Sequence, residues 1–490
     1  MKSNINNKTI LFGLLSMLLI ATACKKALDI NQDPNNPSLD QGNPRLVFPA
    51  AVMNTAGRVG GDIAILTGIW GEYVTQSALA NQYKFIDAYD VKSTDLNAQY
   101  SGLFTGGLKN YQFVINKARD AQDWNFYLMG EVMKAYTTGI LVDLYDKIPY
   151  TEALGGASNL NPHFDNGDAI YADLIAGIDS ALSKDFTASS NSVPGTADLI
   201  FEGDMDKWKA FANTLELKLY LRMVNANPAG AQAGVQKLYN NGAEFLQTDA
   251  GVFGFTDVPG QDNPLYEQNI RELNTPNNLR ASRTFVSWLV DNNDPRVVSY
   301  FGTNAPNSIH QGDYLGTDPA YQTAAVFVQT PEDPVIFLSA AESYFLQAEA
   351  RERYFSGDQA ESLYNQGVLA AFASVGQDGS SFITGAYKYP TGTLDQKIEA
   401  ISTQKWASFP YGVNFVEGFL EKQRTGYPRT SPVYSTDGSY VSGQFVVSAN
   451  SVLPPGALPR RLQYPDVEVS RNTNTPELVP ITTPVWWAKP

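Results

Sequence analysis

Apolar residues recur at the 3.6-residue period of an amphipathic helix in three long stretches of the chain. The spacing predicts helices that bury one face and expose the other. The positions that share a face are Phe126, Met129, Met133, Tyr136 and Ile140 in the first stretch, Trp208, Phe211, Leu215 and Leu219 in the second, and Leu338, Ala341, Phe345 and Ala348 in the third. Asp204 precedes the second stretch, where its carboxylate can accept hydrogen bonds from free N–H groups and so cap the helix.

The third helix is followed, after a Gly-Asp turn, by a further amphipathic stretch, SGDQAESLYNQGVLAAF at 356–372. Alanines occupy the facing positions, and small residues let two helices approach closely, as in the stacked pairs of tetratricopeptide-type proteins. The sequence therefore predicts a mainly α fold, with tetratricopeptide-like helix pairs forming a scaffold.

Two segments, about 225–331 and 428–490, lack this periodicity. Asn, Gly and Pro interrupt the first, and ten of the 28 prolines fall in the second. Proline removes a backbone donor and clashes with the preceding helical turn, so no long helix is expected in 428–490. We expect both segments to be long irregular loops packed on a single large helical domain that spans 46–490.

The first 23 residues resemble a secretory leader, because residues 1–9 are polar with two lysines and residues 10–23 are apolar. The apolar run is too short to span a bilayer, which takes about 20 apolar residues. Its end, Ala-Thr-Ala before Cys24, is similar to a lipobox. We therefore expect cleavage before Cys24 and its lipidation with acyl chains such as palmitate, the alternative being an ordinary leader with an incidental cysteine. Residues 24–45, rich in Asn, Asp and Pro, are expected to form an extended tether.

Composition excludes several kinds of function. A net charge of −15 without a basic run argues against nucleic-acid binding. One cysteine excludes an intrachain disulfide, and only two histidines, His163 and His310, argue against a Ser-His-Asp triad or a histidine-rich metal site. No cofactor is expected. Structural calcium is compatible with loops rich in acids and carbonyls, although no EF-hand-like spacing is present.

Seven blocks of sequence, in collinear order, carry a family resemblance. They are LDINQDPNNPS at 28–38, DLYDKIPYTEA at 143–153, LIFEGDMDKWKAFANTLELKLYLRM at 199–223, NDPRVVSYF at 293–301, ESYFLQAEARERYFSGD at 342–358, QKWASFPYGVNFVEGFLEKQRTGYP at 404–428 and PRRLQYPDVEVSRN at 459–472. Together they resemble the SusD/RagB family, especially its SusD-like lipoproteins. One departure lies at 417–428, where Phe419 and the single Arg424 stand in place of the family's usual Trp and basic pair.

The resemblance implies a binding protein and not an enzyme. SusD-like lipoproteins cover a TonB-dependent, SusC-like outer-membrane barrel as a lid, and they capture oligosaccharides, or in some relatives peptides, for import. It also implies an outer-membrane location through the lipid anchor, facing the cell surface, and Lys25 after the anchor fits that sorting. The recognised blocks themselves have plain structural interpretations, and Arg424 is expected to pair with a carboxylate between helices.

Ligand contacts are expected from exposed aromatic rings, which stack on sugar faces, and from amides that bond the hydroxyl rims. In relatives these side chains come from an early region and a later variable one. The candidates here are Trp70, Tyr73, Asn81, Gln82, Tyr83, Phe85 and Tyr100 in the early region and Tyr266, Asn269 and Tyr314 in the later one. No spacing rule selects them, and the same aromatic residues, Trp70 above all, could instead be core side chains.

Two further hypotheses remain open from the sequence. A secreted helical glycoside hydrolase would also be acidic and rich in aromatic residues, and it needs two carboxylates about 5–9 Å apart across a cleft. A structural envelope protein with no small ligand is the other. Retention of a polysaccharide without release of reducing ends separates binding from both.

Overall fold

The computed structural model describes residues 42–154, 159–191 and 193–488. Cys24, the leader and most of the expected tether lie outside these residues. The helices are α1 (Pro44–Val59), α2 (Asp62–Trp70), α3 (Lys84–Asp87), α4 (Asn97–Gly102), α5 (Lys109–Ala121), α6 (Trp124–Tyr145), α7 (Gly167–Leu182), α8 (Met205–Arg222), α9 (Pro228–Asn240), α10 (Pro264–Tyr266), α11 (Arg283–Asp291), α12 (Arg296–Phe301), α13 (Ala340–Tyr354), α14 (Ala360–Ala373), α15 (Leu394–Ser408), α16 (Phe415–Thr425) and α17 (Asp466–Arg471). Short π-helical turns occupy Leu103–Leu108 and Glu267–Arg271.

The strands are short and pair in twos. They are β1 (Val74–Gln76), β2 (Lys147–Pro149), β3 (Phe164–Asn166), β4 (Ala250–Val252), β5 (Leu279–Ala281) and β6 (Val335–Leu338). The described residues form three antiparallel two-stranded sheets, β1–β5, β2–β3 and β4–β6. A pair of strands this short is not stable alone, so each sheet depends on the helices that it packs against. The mainly helical fold predicted from periodicity is confirmed.

Two of the three predicted helices form where the spacing places them. The first stretch lies in α6 and the second in α8, where the Asp204 carboxylate accepts a hydrogen bond of 3.2 Å from the N–H of Lys207. The third prediction is wrong at its start, because Leu338 ends strand β6 and Ser339 caps α13 through the N–H of Glu342 at 3.0 Å. The apolar run Val-Ile-Phe-Leu is better suited to a buried strand than to a helical turn.

The expected helix pair is present in α13 and α14. Phe345 of α13 packs on Gly367 of α14, where an added Cβ would lie 2.7 Å from the ring. The glycine therefore lets the two helices approach closely. Whether such pairs follow tetratricopeptide geometry along the chain stays a prediction.

The segment 225–331 is more regular than its sequence suggests. It contains α9, α11 and α12, and its strand β5 pairs with β1. Asn227 caps α9 and Pro228 is its first residue. Both residue types are also common in loops, so hydrophobic periodicity alone does not predict this helix. The segment 428–490, by contrast, has only the six-residue α17 among its described helices.

A network of buried ion pairs joins three helices of the core, α8, α13 and α16. Lys218 of α8 lies 3.0 Å from Glu342 of α13 and 2.6 Å from Glu417 of α16. Arg424 of α16 meets both carboxylate oxygens of Glu349 of α13, at 2.7 and 2.6 Å. The interhelix pairing expected for Arg424 is therefore observed, in the bidentate geometry that guanidinium favours.

Burial would raise the pKa of the Glu349 carboxyl, but the charges of Arg424 and Arg353 outweigh it and lower the pKa to about 2. Glu421, beside Arg424 and Lys405, has its pKa lowered as well, again against the effect of burial. Both groups are therefore ionised in the folded core, each held by cations from the same or a neighbouring helix.

Candidate ligand-binding surface

Trp70 and Tyr73 are core side chains. Trp70 is 4% exposed, and its indole N–H donates to the carbonyl of Ile86 at 3.1 Å. Tyr73 is fully buried, its hydroxyl donates to the carbonyl of Trp406 at 3.0 Å, and the two rings stack with centroids 5.5 Å apart. Trp70 is therefore a core residue, which was the alternative interpretation of its sequence position. Neither Trp70 nor Tyr73 offers an open ring face to a sugar.

Tyr83 and Tyr100 are also largely enclosed. Tyr100 packs edge-on against Tyr145 with centroids 5.1 Å apart. Tyr83 is 7% exposed, and its backbone N–H donates to Gln76 Oε1 at 2.6 Å. Burial raises the pKa of the Tyr83 phenol well above its ordinary value. The expected open aromatic platform therefore does not contain these two rings in the structure.

Four candidates are at least partly open to solvent in two segments that Lys84 links, and we call this group the Phe85 face. Asn81 and Gln82 are exposed, the ring of Phe85 is 38% exposed, and Tyr314 is half-buried. Lys84 joins the two parts, because its ammonium lies 5.3 Å from the centroid of the Tyr314 ring. The face thus has two aromatic rings, two carboxamides and a cation from regions about 230 residues apart in sequence.

Backbone pairing brings the early and later regions to this surface. Strand β1 pairs antiparallel with β5, with Val74 opposite Ala281 and Gln76 opposite Leu279. Beyond the strands, the Asn278 carboxamide oxygen accepts a hydrogen bond of 3.3 Å from the N–H of Gln82. The chain around 277–279 therefore supports the turn that carries the exposed carboxamides.

Asp87 ties the 310–314 segment to the same strand. Its Oδ2 accepts from the Thr75 hydroxyl at 2.6 Å and the Gln76 N–H at 2.8 Å, and its Oδ1 accepts from Gln311 Nε2 at 2.9 Å. Burial raises the pKa of the Asp87 carboxyl to about 6, although these hydrogen bonds act in the opposite direction. Sequence reasoning missed Asp87, since a single acid among aromatic residues carries no pattern.

The later segment is held by contacts of its own. His310 Nδ1 lies 2.7 Å from the Ser435 hydroxyl, and the Tyr434 hydroxyl donates to the carbonyl of Gln311 at 2.7 Å. Leu315, next to Tyr314 in the chain, is 65% exposed. His310 and Gln311 are therefore held by the 434–435 segment, while Tyr314 and Leu315 stay at least partly open to solvent.

Tyr266 and Asn269 lie on a different turn. The Arg271 guanidinium covers the Tyr266 ring at 5.4 Å from its centroid. Asn269 is fully buried, and both atoms of its carboxamide lack a hydrogen-bond partner among the described residues. A groove of about 410 Å³ opens beside them, with Glu267 and Gln268 in its wall. The structure does not join these two candidates to the Phe85 face.

A larger groove, of about 700 Å³, opens between the starts of α7 and α9. Trp486 lies in its wall, edge-on to Tyr171 with centroids 5.1 Å apart, together with Tyr220, Lys147 and Asp168. No candidate residue from the sequence lines this groove. Cavity shape alone would therefore select different residues from those that the family resemblance selects.

Neither a cluster of metal-ligating side chains nor a membrane-spanning helix is present in residues 42–154, 159–191 and 193–488. In these ranges no three His, Cys, Asp or Glu side chains are arranged to hold a metal ion. No helix in the same ranges combines the length and apolarity needed to cross a bilayer.

Solved structures share this fold. A SusD homologue from Bacteroides uniformis is 22% identical with a TM-score of 0.71, covering 91% of this chain and 99% of its own. A SusD/RagB family protein from Bacteroides thetaiotaomicron is 18% identical with a TM-score of 0.73, covering 91% and 99%. A chitin-binding SusD homologue from Flavobacterium johnsoniae is 21% identical with a TM-score of 0.69, covering 90% and 98%.

These identities are low, so the structural likeness establishes the fold alone. No curated protein is significantly similar to the chain in sequence. The SusD-like family, described as starch-binding and associating with the outer membrane, matches residues 63–465. Because that match covers most of the chain, the protein belongs to the SusD-like family.

Proposed function

We propose that the protein is a lipid-anchored glycan-binding protein of the outer membrane. It captures oligosaccharides and delivers them to a TonB-dependent, SusC-like barrel, for which it acts as a lid. The observation that carries the proposal is the Phe85 face, where Lys84 of the early region lies against the Tyr314 ring of the later one, while its chain neighbours Asn81, Gln82 and Phe85 are exposed. The family description as starch-binding and the chitin-binding relative support a carbohydrate as the ligand.

The chemistry of the Phe85 face suits a sugar. A pyranose presents a flat face of C–H groups that packs on an aromatic ring, and a rim of hydroxyls that needs polar partners. Phe85 and Tyr314 supply the rings, and Asn81 and Gln82 supply amide donors and acceptors. The surface is open, not deeply enclosed, which fits a protein that must release its cargo to a transporter.

Replacing Phe85 or Tyr314 with alanine should weaken oligosaccharide binding about tenfold, since each loses one stacking surface. Phe85→Ala should leave the melting temperature nearly unchanged, because that ring is 38% exposed. The matched control is Phe253→Ala, which removes a ring that is 48% exposed elsewhere on the chain. Affinity electrophoresis in gels that contain starch, chitin derivatives or other glycans measures the loss.

Equal retention of Phe85→Ala, Phe253→Ala and the unmodified protein would contradict the assignment of the Phe85 face. The same gels and a reducing-end assay test the class of function. Retention without new reducing ends supports binding, release of sugars supports the paired-carboxylate hydrolase, and no interaction with any glycan supports a structural envelope protein.

Anchoring is proposed from the leader and Cys24. Three acyl chains hold a protein firmly at a bilayer, because each buried methylene contributes about 0.8 kcal/mol. Cys24→Ala should therefore move the protein from the membrane fraction to the soluble fraction with an unchanged circular dichroism spectrum. Lys25→Ala, next to the anchor, should stay in the membrane fraction, and membrane retention of Cys24→Ala would refute lipidation.

A further inference from the structure

The groove of about 700 Å³ between the starts of α7 and α9 shares no residue with the Phe85 face. Its lining comes from the paired ends of β2 and β3, from α7, from the end of α8 and from the start of α9. Trp486 also lies in its wall. The volume is within the range of about 300–1,000 Å³ that is usual for small-molecule sites. We call this cavity the Trp486 groove.

Two aromatic rings in the lining are held in place beside glycines. A Cβ on Gly167 would lie 2.3 Å from Trp486 Nε1, so the indole packs directly against the start of α7. A Cβ on Gly234 would lie 2.0 Å from the Tyr220 ring, which packs against α9 in the same way. The backbone N–H of Trp486 also donates to Asp146 Oδ1 at 2.6 Å. Side chains that are already positioned lose less conformational entropy when a ligand binds.

The rest of the apolar lining is aliphatic and consists of Ala172, Ile175, Met223 and Ala226. Both alanines are exposed, whereas Ile175 and Met223 are largely buried. An aliphatic side chain does not stack on a sugar ring as an aromatic one does, but it can bury a methyl group. The lining therefore suits a ligand that has both a flat ring and a methyl group.

Three polar side chains in the lining make no hydrogen bond and no ion pair with another described residue, namely Lys147, Asn166 and Asp168. Asn166 and Asp168 are exposed, and Lys147 is partly exposed. Asn166 stands at the N-cap of α7, where an asparagine side chain usually accepts a bond from the first turn, yet it makes none. These groups can therefore bind a ligand without breaking a bond inside the described part of the chain.

The charged groups of the lining nearly balance one another. Lys147 and Asp168 have opposite charges, and Asp146 is paired with Arg461 at 3.5 Å. The groove therefore favours a neutral ligand that both donates and accepts hydrogen bonds. An acetamido group has one N–H donor, one carbonyl acceptor and one methyl group, so it matches the polar and the aliphatic parts of the lining.

We propose that the Trp486 groove is a second glycan-binding site and that it takes an N-acetylated sugar unit. The pyranose ring of that unit packs on Trp486, and its methyl group packs on Ile175 and Met223. Its amide bonds to the Asn166 carboxamide, with Lys147 and Asp168 at the hydroxyls. This inference rests on the proposed function and adds a second site and the chemical class of the glycan.

Titration calorimetry with three β-1,4-linked oligomers of equal length tests the inference. The oligomers are built from N-acetylglucosamine, glucosamine and glucose, so they differ only in the group on C2. Both the unmodified protein and Phe85→Ala are titrated, because that variant leaves the Trp486 groove intact. The N-acetylated oligomer should bind each protein about tenfold more tightly than the other two, since it adds one buried methyl group and one hydrogen bond.

Two groove variants are chosen to keep the fold. Ala172→Arg places a long side chain in the groove from an exposed position of α7, so it should weaken binding of the N-acetylated oligomer about tenfold. Asn166→Ala removes no bond within the described chain and should weaken that binding about fivefold. Ala373→Arg, at an exposed position of α14, is the matched control and should bind like the unmodified protein.

Normal binding of all three oligomers by Ala172→Arg and Asn166→Ala would show that the groove is not a glycan site. The proposed function would still stand if Phe85→Ala lost retention on glycan gels. Equal affinities of the unmodified protein for the three oligomers would overturn the N-acetyl selection. An N-acetylated, amidated trialanine serves as the peptide ligand, and tighter binding of this peptide than of the sugar would overturn the glycan assignment of the groove. If the unmodified protein binds no glycan in calorimetry or in gels, the proposed function itself fails.

Discussion

Replacing Arg424 with methionine is expected to lower the free energy of unfolding by about 3–5 kcal/mol. Arg424 is 3% exposed, and its guanidinium is the bidentate partner of Glu349, which is fully buried. Methionine fills much of the space but leaves two carboxylates, Glu349 and Glu421, without their principal cation. A buried charge without a partner costs far more than the intact pair contributes, so the loss should be large. Urea unfolding followed by circular dichroism measures it.

The matched control is Arg429→Met. Arg429 also binds a carboxylate through two nitrogens, at 2.6 and 2.7 Å from the Glu399 oxygens, but its side chain is 51% exposed. An exposed pair contributes about 0–1 kcal/mol, so this variant should unfold almost like the unmodified protein. Equal losses in Arg424→Met and Arg429→Met would show that burial does not set the strength of the core pair.

The Arg424–Glu349 pair should also make the free energy of unfolding depend on pH in the acid range. The folded pKa of Glu349, about 2, lies below the ordinary value of 4.5. The stabilisation is therefore present above about pH 4.5 and is lost as the pH falls towards 2. The unmodified protein should lose stability over that interval. Arg424→Met should lose less, because its Glu349 no longer has the cation that lowers the pKa.

Local periodicity was enough to predict much of the helical scaffold. In α6 and α8 the apolar positions lie within the helix, and Asp204 directly precedes α8 as its cap, so nearby residues specify these helices without distant partners. Leu338 was assigned to a helix wrongly, because its strand forms only by pairing with β4, some 85 residues earlier in the chain. Such pairing depends on long-range contacts that no window of sequence contains.

Exposure was harder to predict than helicity for the same reason. Tyr73 and Phe85 both stand in mixed aromatic and polar sequence, yet one is fully buried and the other is 38% exposed. The difference comes from Trp406, which stacks on Tyr73 from 333 residues away. Tyr314 meets Lys84 because Asp87 and Gln311 join their segments, and neither residue is part of a recognisable motif.

The ion-paired helices and the Phe85 face have different physical roles. The network around Arg424 and Lys218 fixes the helices to one another through buried charges. The Phe85 face depends on hydrogen bonds between loops, which are easier to vary without loss of the core. A scaffold of this kind can keep its fold while the side chains of its binding loops change.

Replacing Asp87 with alanine is expected to lower the free energy of unfolding by about 3 kcal/mol or more and to weaken glycan binding at the Phe85 face. Three donors lose their acceptor, from Thr75, Gln76 and Gln311, and each buried donor left unpaired costs about 1–3 kcal/mol. Loss of the Asp87–Gln311 bond also loosens the segment that carries Tyr314, while the Gln311 side chain keeps its bonds to Ile69 and Ser282. Thermal unfolding and glycan-gel retention measure the two effects.

Asp87→Asn separates the charge of this carboxyl from its hydrogen bonds. The folded pKa, about 6, lies above the ordinary value of 3.8, so the contribution of the carboxyl to stability is greatest below about pH 4 and falls as the pH rises through 6. The unmodified protein should therefore lose stability relative to Asp87→Asn between pH 4 and 7. Asp437→Ala, which removes an exposed carboxylate bound to Ser439, should change stability by under about 1 kcal/mol. If Asp87→Ala matched Asp437→Ala in stability and bound glycan normally, the Asp87 hydrogen bonds would not hold the Phe85 face together.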